Sequence, residues 1–208
     1  VLDRRRLTGR LAYLDGSGQP TGREIFSISA HADGARTLRA QCEMDDDALV
    51  RDALLALDAD ARPREAFVRI VERGVHLGSR HYGEAELAGA DYFGTHALAN
   101  DAWIALLGDG LADGGSRTVA GVTCSHRANG GGEPARLASS AVLARIGREA
   151  VEVPAGRFDA EHWTVAYGGH TPIDFWTAGP DRVLVLMTWP HLDGRYELVQ
   201  LDEVRPGH

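Results

Sequence analysis

The sequence predicts an all-β protein: an antiparallel barrel or strongly curved sheet of about ten strands with one short helix. Three observations carry this. Short apolar runs alternate with polar residues at period two. Glycine is abundant, with 25 among 208 residues, and it clusters between those runs as turns do. No repeat or long linker divides the chain, so residues 1–208 read as one domain.

The elements follow in order. Leu11 to Tyr13 and Arg23 to His31 flank Asp15-Gly16-Ser17-Gly18-Gln19-Pro20, a hairpin turn. A second turn at Ala32-Asp33-Gly34-Ala35 leads into Arg36 to Met44, where Leu38, Ala40, Cys42 and Met44 share one face. Asp45 to Asp60 fits either a helix with an aspartate cap or a strand. The strand is preferred, because the flanking segments read as a meander. Phe67 to Glu72 is a strand ended by Arg73-Gly74, and Val75 to Glu86 gives one or two more. Thr95 is a fair N-cap for a short helix over His96 to Leu107, ended by Gly108. Thr118 to His126 is a strand, followed by a glycine-rich loop from Ala128 to Pro134. Ala141 to Val153 and Phe158 to Tyr167 form a long hairpin, broken after Tyr167 by Gly168-Gly169. Ile173 to Thr177, Val183 to Trp189 and Tyr196 to Val204 complete a meander. The inside of such a fold is either a packed core or a ligand cavity.

Composition excludes several chemistries. The charge is −8 and every one of the 22 basic residues is arginine. An acidic surface repels phosphate backbones, so no nucleic-acid partner is expected. Without lysine there is no Schiff-base aldolase, no lysine-tethered pyridoxal phosphate and no P-loop lysine. No stretch approaches the ~20 apolar residues that span a bilayer. The run Val1-Leu2-Asp3-Arg4-Arg5-Arg6 lacks the apolar centre of a signal peptide. Cys42 and Cys124 are too few for a disulfide framework and read as reduced thiols in a cytoplasmic protein.

No dinucleotide fingerprint, Walker A sequence, nucleophile elbow or H-E-x-x-H is present. His76 and His81 lie five apart, on opposite faces of a strand, so neither cofactor nor metal is expected. Asp45-Asp46-Asp47 lacks the spacing of a calcium loop and reads as a turn. The candidates for chemistry lie elsewhere. Arg51 and Arg69 interrupt apolar strand faces. If either guanidinium faces the interior it needs a carboxylate, a phenolate or a bound anion. A buried ion pair or a snorkelling side chain is the structural alternative. The stretch His76 to Trp103 is dense in His76, Arg80, His81, Tyr82, Glu84, Asp91, Tyr92, His96, Asp101 and Trp103. Tyr82 is singled out for sharing a face with Arg80 and Glu84, and His96 for its place at the helix entrance. Near the C-terminus, Tyr167, His170, Trp176, Trp189 and His191 have the composition of a cavity mouth for an aromatic ligand, or of a plug at one barrel end.

Two stretches carry a resemblance. Glu152-Val153-Pro154-Ala155-Gly156-Arg157-Phe158-Asp159-Ala160, with Asp174-Phe175-Trp176-Thr177 and Tyr196-Glu197-Leu198-Val199, resembles the closing meander of bacterial lipocalin-like domains of unknown function. Cys42 to Asp52, with Phe93-Gly94-Thr95-His96, is similar to uncharacterised proteobacterial proteins associated with aromatic catabolism. That setting includes cofactor-free lyases that release formaldehyde from lignin-derived diaryl compounds. The resemblance implies a lipocalin-like barrel around a small aromatic molecule, and it assigns no catalytic residue. The expectation is a cofactor-independent lyase or isomerase. His96 would be the base, and Tyr82 and Arg69 would stabilise an oxyanion or phenolate. Arg51, Arg80, Tyr92, Trp103, Tyr167, His170, Trp176 and Trp189 would line the substrate. The alternative is a non-catalytic carrier of a hydrophobic ligand; a homodimer is left open.

Overall fold

The computed structural model describes residues 5–46, 48–168 and 170–204. The start of the Val1 to Arg6 run, Asp47 of the aspartate turn and Gly169 of the glycine pair lie outside the described residues.

Thirteen strands form one curved sheet, with spatial order β6-β5-β4-β3-β2-β1-β13-β12-β11-β10-β9-β8-β7. The first six are β1 (Arg5–Asp15), β2 (Pro20–Ala30), β3 (Arg36–Met44), β4 (Leu49–Leu57), β5 (Pro63–Glu72) and β6 (Val75–Tyr82). The others are β7 (Tyr92–Gly94), β8 (Ser116–Thr123), β9 (Leu137–Val153), β10 (Gly156–Tyr167), β11 (Ile173–Ala178), β12 (Val183–Trp189) and β13 (Gly194–Val204). The ambiguous segment after Asp45 is therefore strand β4, and its buried positions alternate from Leu49 to Leu57. The sheet has more strands than the roughly ten expected. The pairing of β7 with β8 is parallel, whereas the rest are antiparallel.

Curvature has a local cause. Register shifts interrupt the pairings at Arg10/Leu11, Ala56/Leu57, Ile70/Val71, His162/Trp163 and Trp176/Thr177. Each breaks the regular ladder, and a bulge or similar irregularity bends a strand and increases its twist. The sheet curls until its two ends meet, but β6 and β7 do not share a ladder. Side chains seal that seam. The Tyr82 and Phe93 rings lie 4.6 Å apart, and the Tyr82 hydroxyl donates to the Ala135 carbonyl at 2.6 Å.

The hollow is partly filled from within. After a short helix α1 (Glu84–Leu87), the chain enters the curl as α2 (Leu98–Asp101) and continues as a 3-10 turn over Ala102–Gly108. The expected helix from His96 to Leu107 thus exists, but most of it is wound tighter. Leu98, Ala99, Ala102, Trp103, Ile104 and Ala105 are all buried. A helical segment buried on nearly all sides belongs inside a core, with Asn100 and Asp101 as its polar exceptions. Two buried charges fix its entrance. The Glu24 carboxylate accepts the N–H groups of Leu98 (2.8 Å) and Ala99 (3.0 Å) and the Tyr13 hydroxyl (2.6 Å). The Arg51 guanidinium donates to the carbonyls of His96 and Asn129. Arg51 thus faces the interior with Leu49 and Ala53, and its partners are backbone carbonyls, not the carboxylate or anion expected.

Candidate functional site

A cavity of about 520 Å³ remains at one end of the curl, beside α2. Its volume falls within the range of small-molecule sites. Three regions of sequence build it. The stretch from β7 to the end of α2 supplies Tyr92, His96 and Asp101; β8 and the loop after it supply Thr123, Ser125, His126 and Arg127. The start of β9 and the C-terminal meander supply Ser139, Tyr167, His170, Ile173, Trp189 and His191.

The inner end is buried and polar. Asp101 and Tyr167 line this cavity and also two small voids flanking it, so they sit at its depth. Asp101 Oδ1 accepts the Thr95 N–H at 2.9 Å. Burial pushes the Asp101 carboxyl up to about 7, against the opposing pull of the Thr95 N–H and the Arg51 charge. An acid poised there exchanges protons at neutral pH. Burial also raises the Tyr92 and Tyr167 phenols, so both stay protonated and can donate. The Tyr92 hydroxyl donates to Ser139 Oγ at 2.6 Å.

His96 forms part of the wall. Its φ of 58° lies in the left-handed region, so the turn into α2 is strained at this residue. Its Nε2 lies 3.0 Å from the Ser125 carbonyl, which can only accept, so Nε2 carries the proton. Burial and the neighbouring Arg51 charge push the ring down to about 4, leaving a neutral imidazole. Gly130 makes this arrangement possible: a Cβ there would lie 2.4 Å from both Arg51 Nη2 and His96 Cβ. The rim differs from the inner end: His126, Arg127, His170 and His191 are exposed, and the His170 and His191 rings lie 5.9 Å apart.

The structure gathers some of the expected residues and disperses others. His96, Tyr92, Tyr167, His170 and Trp189 share the cavity. Arg51 stands behind His96. Trp103 lines one small void and donates its indole N–H to the Asp181 carbonyl at 3.0 Å. The expected catalytic trio is not assembled. Arg69 points outward and pairs with Asp52 at 3.1 Å, because Phe67, Arg69 and Val71 form the outer face of β5. Tyr82 is buried in the seam, its hydroxyl spent on Ala135. Arg80 pairs with Glu86 at 2.8 Å, away from the cavity. Trp176 stacks on His162 outside the curl, with centroids 4.2 Å apart, and donates to Glu149. Asp101 and His191 belonged to the residue-rich stretches but carried no distinguishing signal; Ser139 and His126 carried none. Among the described residues, no group of three or more histidine, cysteine or acidic side chains is placed to hold a metal ion. No helix among them is long and apolar enough to cross a membrane.

No protein-family model matches the chain, and no curated protein matches it. Solved structures do. A beta-barrel-like protein of a domain of unknown function, DUF1849, from Brucella abortus superposes with a TM-score of 0.57 at 14% identity, covering 98% of both chains. A DUF1089 family protein from Pseudomonas aeruginosa gives 0.45 at 12% identity, over 74% of this chain and 83% of the other. The hypothetical lipoprotein YmcC from Escherichia coli gives 0.36 at 12% identity, over 97% and 87%. The first likeness shows a barrel-like fold. It does not extend to the lyases of aromatic catabolism.

Proposed function

We propose that the protein binds a small aromatic molecule in the cavity beside α2. The observation that carries this reading is the convergence of Tyr92, Tyr167 and Trp189 on one 520 Å³ space from three distant parts of the chain. Aromatic faces with a few fixed polar groups are the usual lining of such sites. Trp189 supplies a test. A panel of phenolic compounds should quench the protein's fluorescence saturably, and the Trp189→Phe variant should lose that response. No saturable response from any compound would sink the reading. Cys42 and Cys124 are both free and buried, which suits a reducing compartment, so we place the protein in the cytoplasm.

A second reading rests on Asp101. A carboxyl titrating near neutrality at the inner end of an aromatic-lined cavity can act as general acid or base. Cofactor-free elimination of formaldehyde from a phenolic diaryl compound is the reaction considered. His96, held neutral with Nε2 tied to Ser125, is a poor base, so Asp101 takes the role first given to His96. Purified protein incubated with phenolic diarylpropanoids should release formaldehyde, and Asp101→Asn should abolish the release. Absence of formaldehyde from the unaltered protein would leave binding alone.

A further inference from the structure

The cavity is chemically polarised along its length. Four of the nine histidines line it, in a protein whose formal charge is −8. Three of them, His126, His170 and His191, stand at the exposed rim with Arg127. Among the described residues Asp101 is the only acidic side chain in the lining, and it lies at the other, inner end, half-buried beside two small flanking voids. Tyr92, Tyr167, Ile173 and Trp189 supply the cavity's apolar and aromatic wall.

We infer that the ligand is a hydroxyaryl carboxylate, bound with its carboxylate at the rim histidines and its ring hydroxyl at Asp101. This rests on the reading that the cavity takes a small aromatic molecule. The rim imidazoles each offer an N–H donor, and Arg127 adds a permanent charge. Arg127 also faces Glu72 at 3.7 Å, so His170 and His191 carry the larger share of anion recognition. The orientation follows from charge. A carboxylate at the inner end would meet the Asp101 carboxyl at close range, where two ionised carboxylates repel. A phenol there instead finds Asp101 as acceptor and Ser139 and Tyr92 as hydroxyl partners. The hydroxyls of Thr123, Ser139 and Ser140 interrupt the walls, which disfavours a long alkyl chain.

The experiment is calorimetric titration of the whole chain with three probes: 3-(4-hydroxyphenyl)propanoate, its primary amide, and decanoate. The expected result is that the hydroxyaryl acid binds about tenfold or more tighter than the amide, the scale of one charge-assisted contact. The His170→Ala/His191→Ala double variant should remove most of the acid's advantage over the amide and leave the amide unchanged. Both positions are exposed, so the variant should fold, and its melting temperature checks this. Equal binding of acid and amide, or an unaltered preference in the double variant, overturns the inference while the aromatic-binding reading stands. Tighter binding of decanoate than of the aryl acid overturns the ring assignment. No heat with any probe overturns both.

Discussion

Asp101 and His96 should give the protein two opposite pH dependences of stability that nearly cancel. The His96 ring falls from its ordinary 6.5 to about 4 on folding, because burial and Arg51 disfavour its charge. The unfolded chain therefore binds a proton that the folded one refuses between those values. That part of the stability is complete above pH 6.5 and is lost as pH falls towards 4, by about 3 kcal/mol in all. Asp101 runs the other way. Its carboxyl rises from 3.8 to about 7, so its contribution is complete below 3.8 and is lost as pH climbs towards 7, by about 4 kcal/mol. The native protein should be nearly flat in this respect between pH 4.5 and 6.5. Asp101→Asn should uncover the rising histidine slope. His96→Asn, chosen because asparagine tolerates the left-handed backbone at φ 58°, should uncover the falling aspartate slope. Urea unfolding of the three proteins at half-unit pH steps reads this as departures from the native profile, of about 1.4 kcal/mol per pH unit and opposite sign. Glu24 is also raised by burial and is present in all three proteins, so the departures from the native profile, not the bare slopes, carry the test. Parallel pH profiles for the two variants would refute the assignment of buried, oppositely shifted groups.

The remaining expectations are steric and structural. Arg51→Met removes the guanidinium that the His96 and Asn129 carbonyls accept from and should cost about 3 kcal/mol in chemical denaturation, with faster proteolysis of the 124–135 loop. Gly108→Ala would place a methyl 2.2 Å from the Trp163 ring and should cost about 1–3 kcal/mol, read as a lowered urea midpoint. Gly121→Ala would press on the Tyr92 ring at 2.5 Å, so phenol binding measured by Trp189 fluorescence should weaken severalfold. Trp176→Phe, on the outer face, should leave that binding unaltered.

The strands were legible because their periodicity is strong. Leu38, Ala40 and Cys42 alternate cleanly in sequence and are buried in β3. The faces were harder. Arg69 and Arg51 look alike in sequence, each flanked by apolar residues, yet one is 1% exposed and the other faces solvent. Period two tells which residues share a face, not which face turns inward, and the outer face of β5 carries Phe67 and Val71 half-buried. Strand β7 was missed because three residues give no periodicity, and its parallel pairing with β8 joins segments far apart in the chain. The site was half legible for a related reason. Aromatic and histidine side chains near strand ends pointed to the C-terminal wall. Asp101 could not be separated from its neighbours, since only tertiary burial raises its carboxyl.

The two buried charges explain why a hollow persists at all. Glu24 takes the N–H groups at the entrance of α2, and Arg51 takes a carbonyl just before it, so the 96–99 turn is gripped from both sides. Losing either charge would strand buried backbone N–H or carbonyl groups, which costs stability. What they also contribute is position. Held at this entrance, the helical plug buries Trp103, Ile104 and Ala105 inside the curl, next to the cavity that Asp101 lines. An apolar replacement of both charges that kept the protein folded should therefore let the plug settle inward and shrink the cavity, trading the ligand site for a denser core.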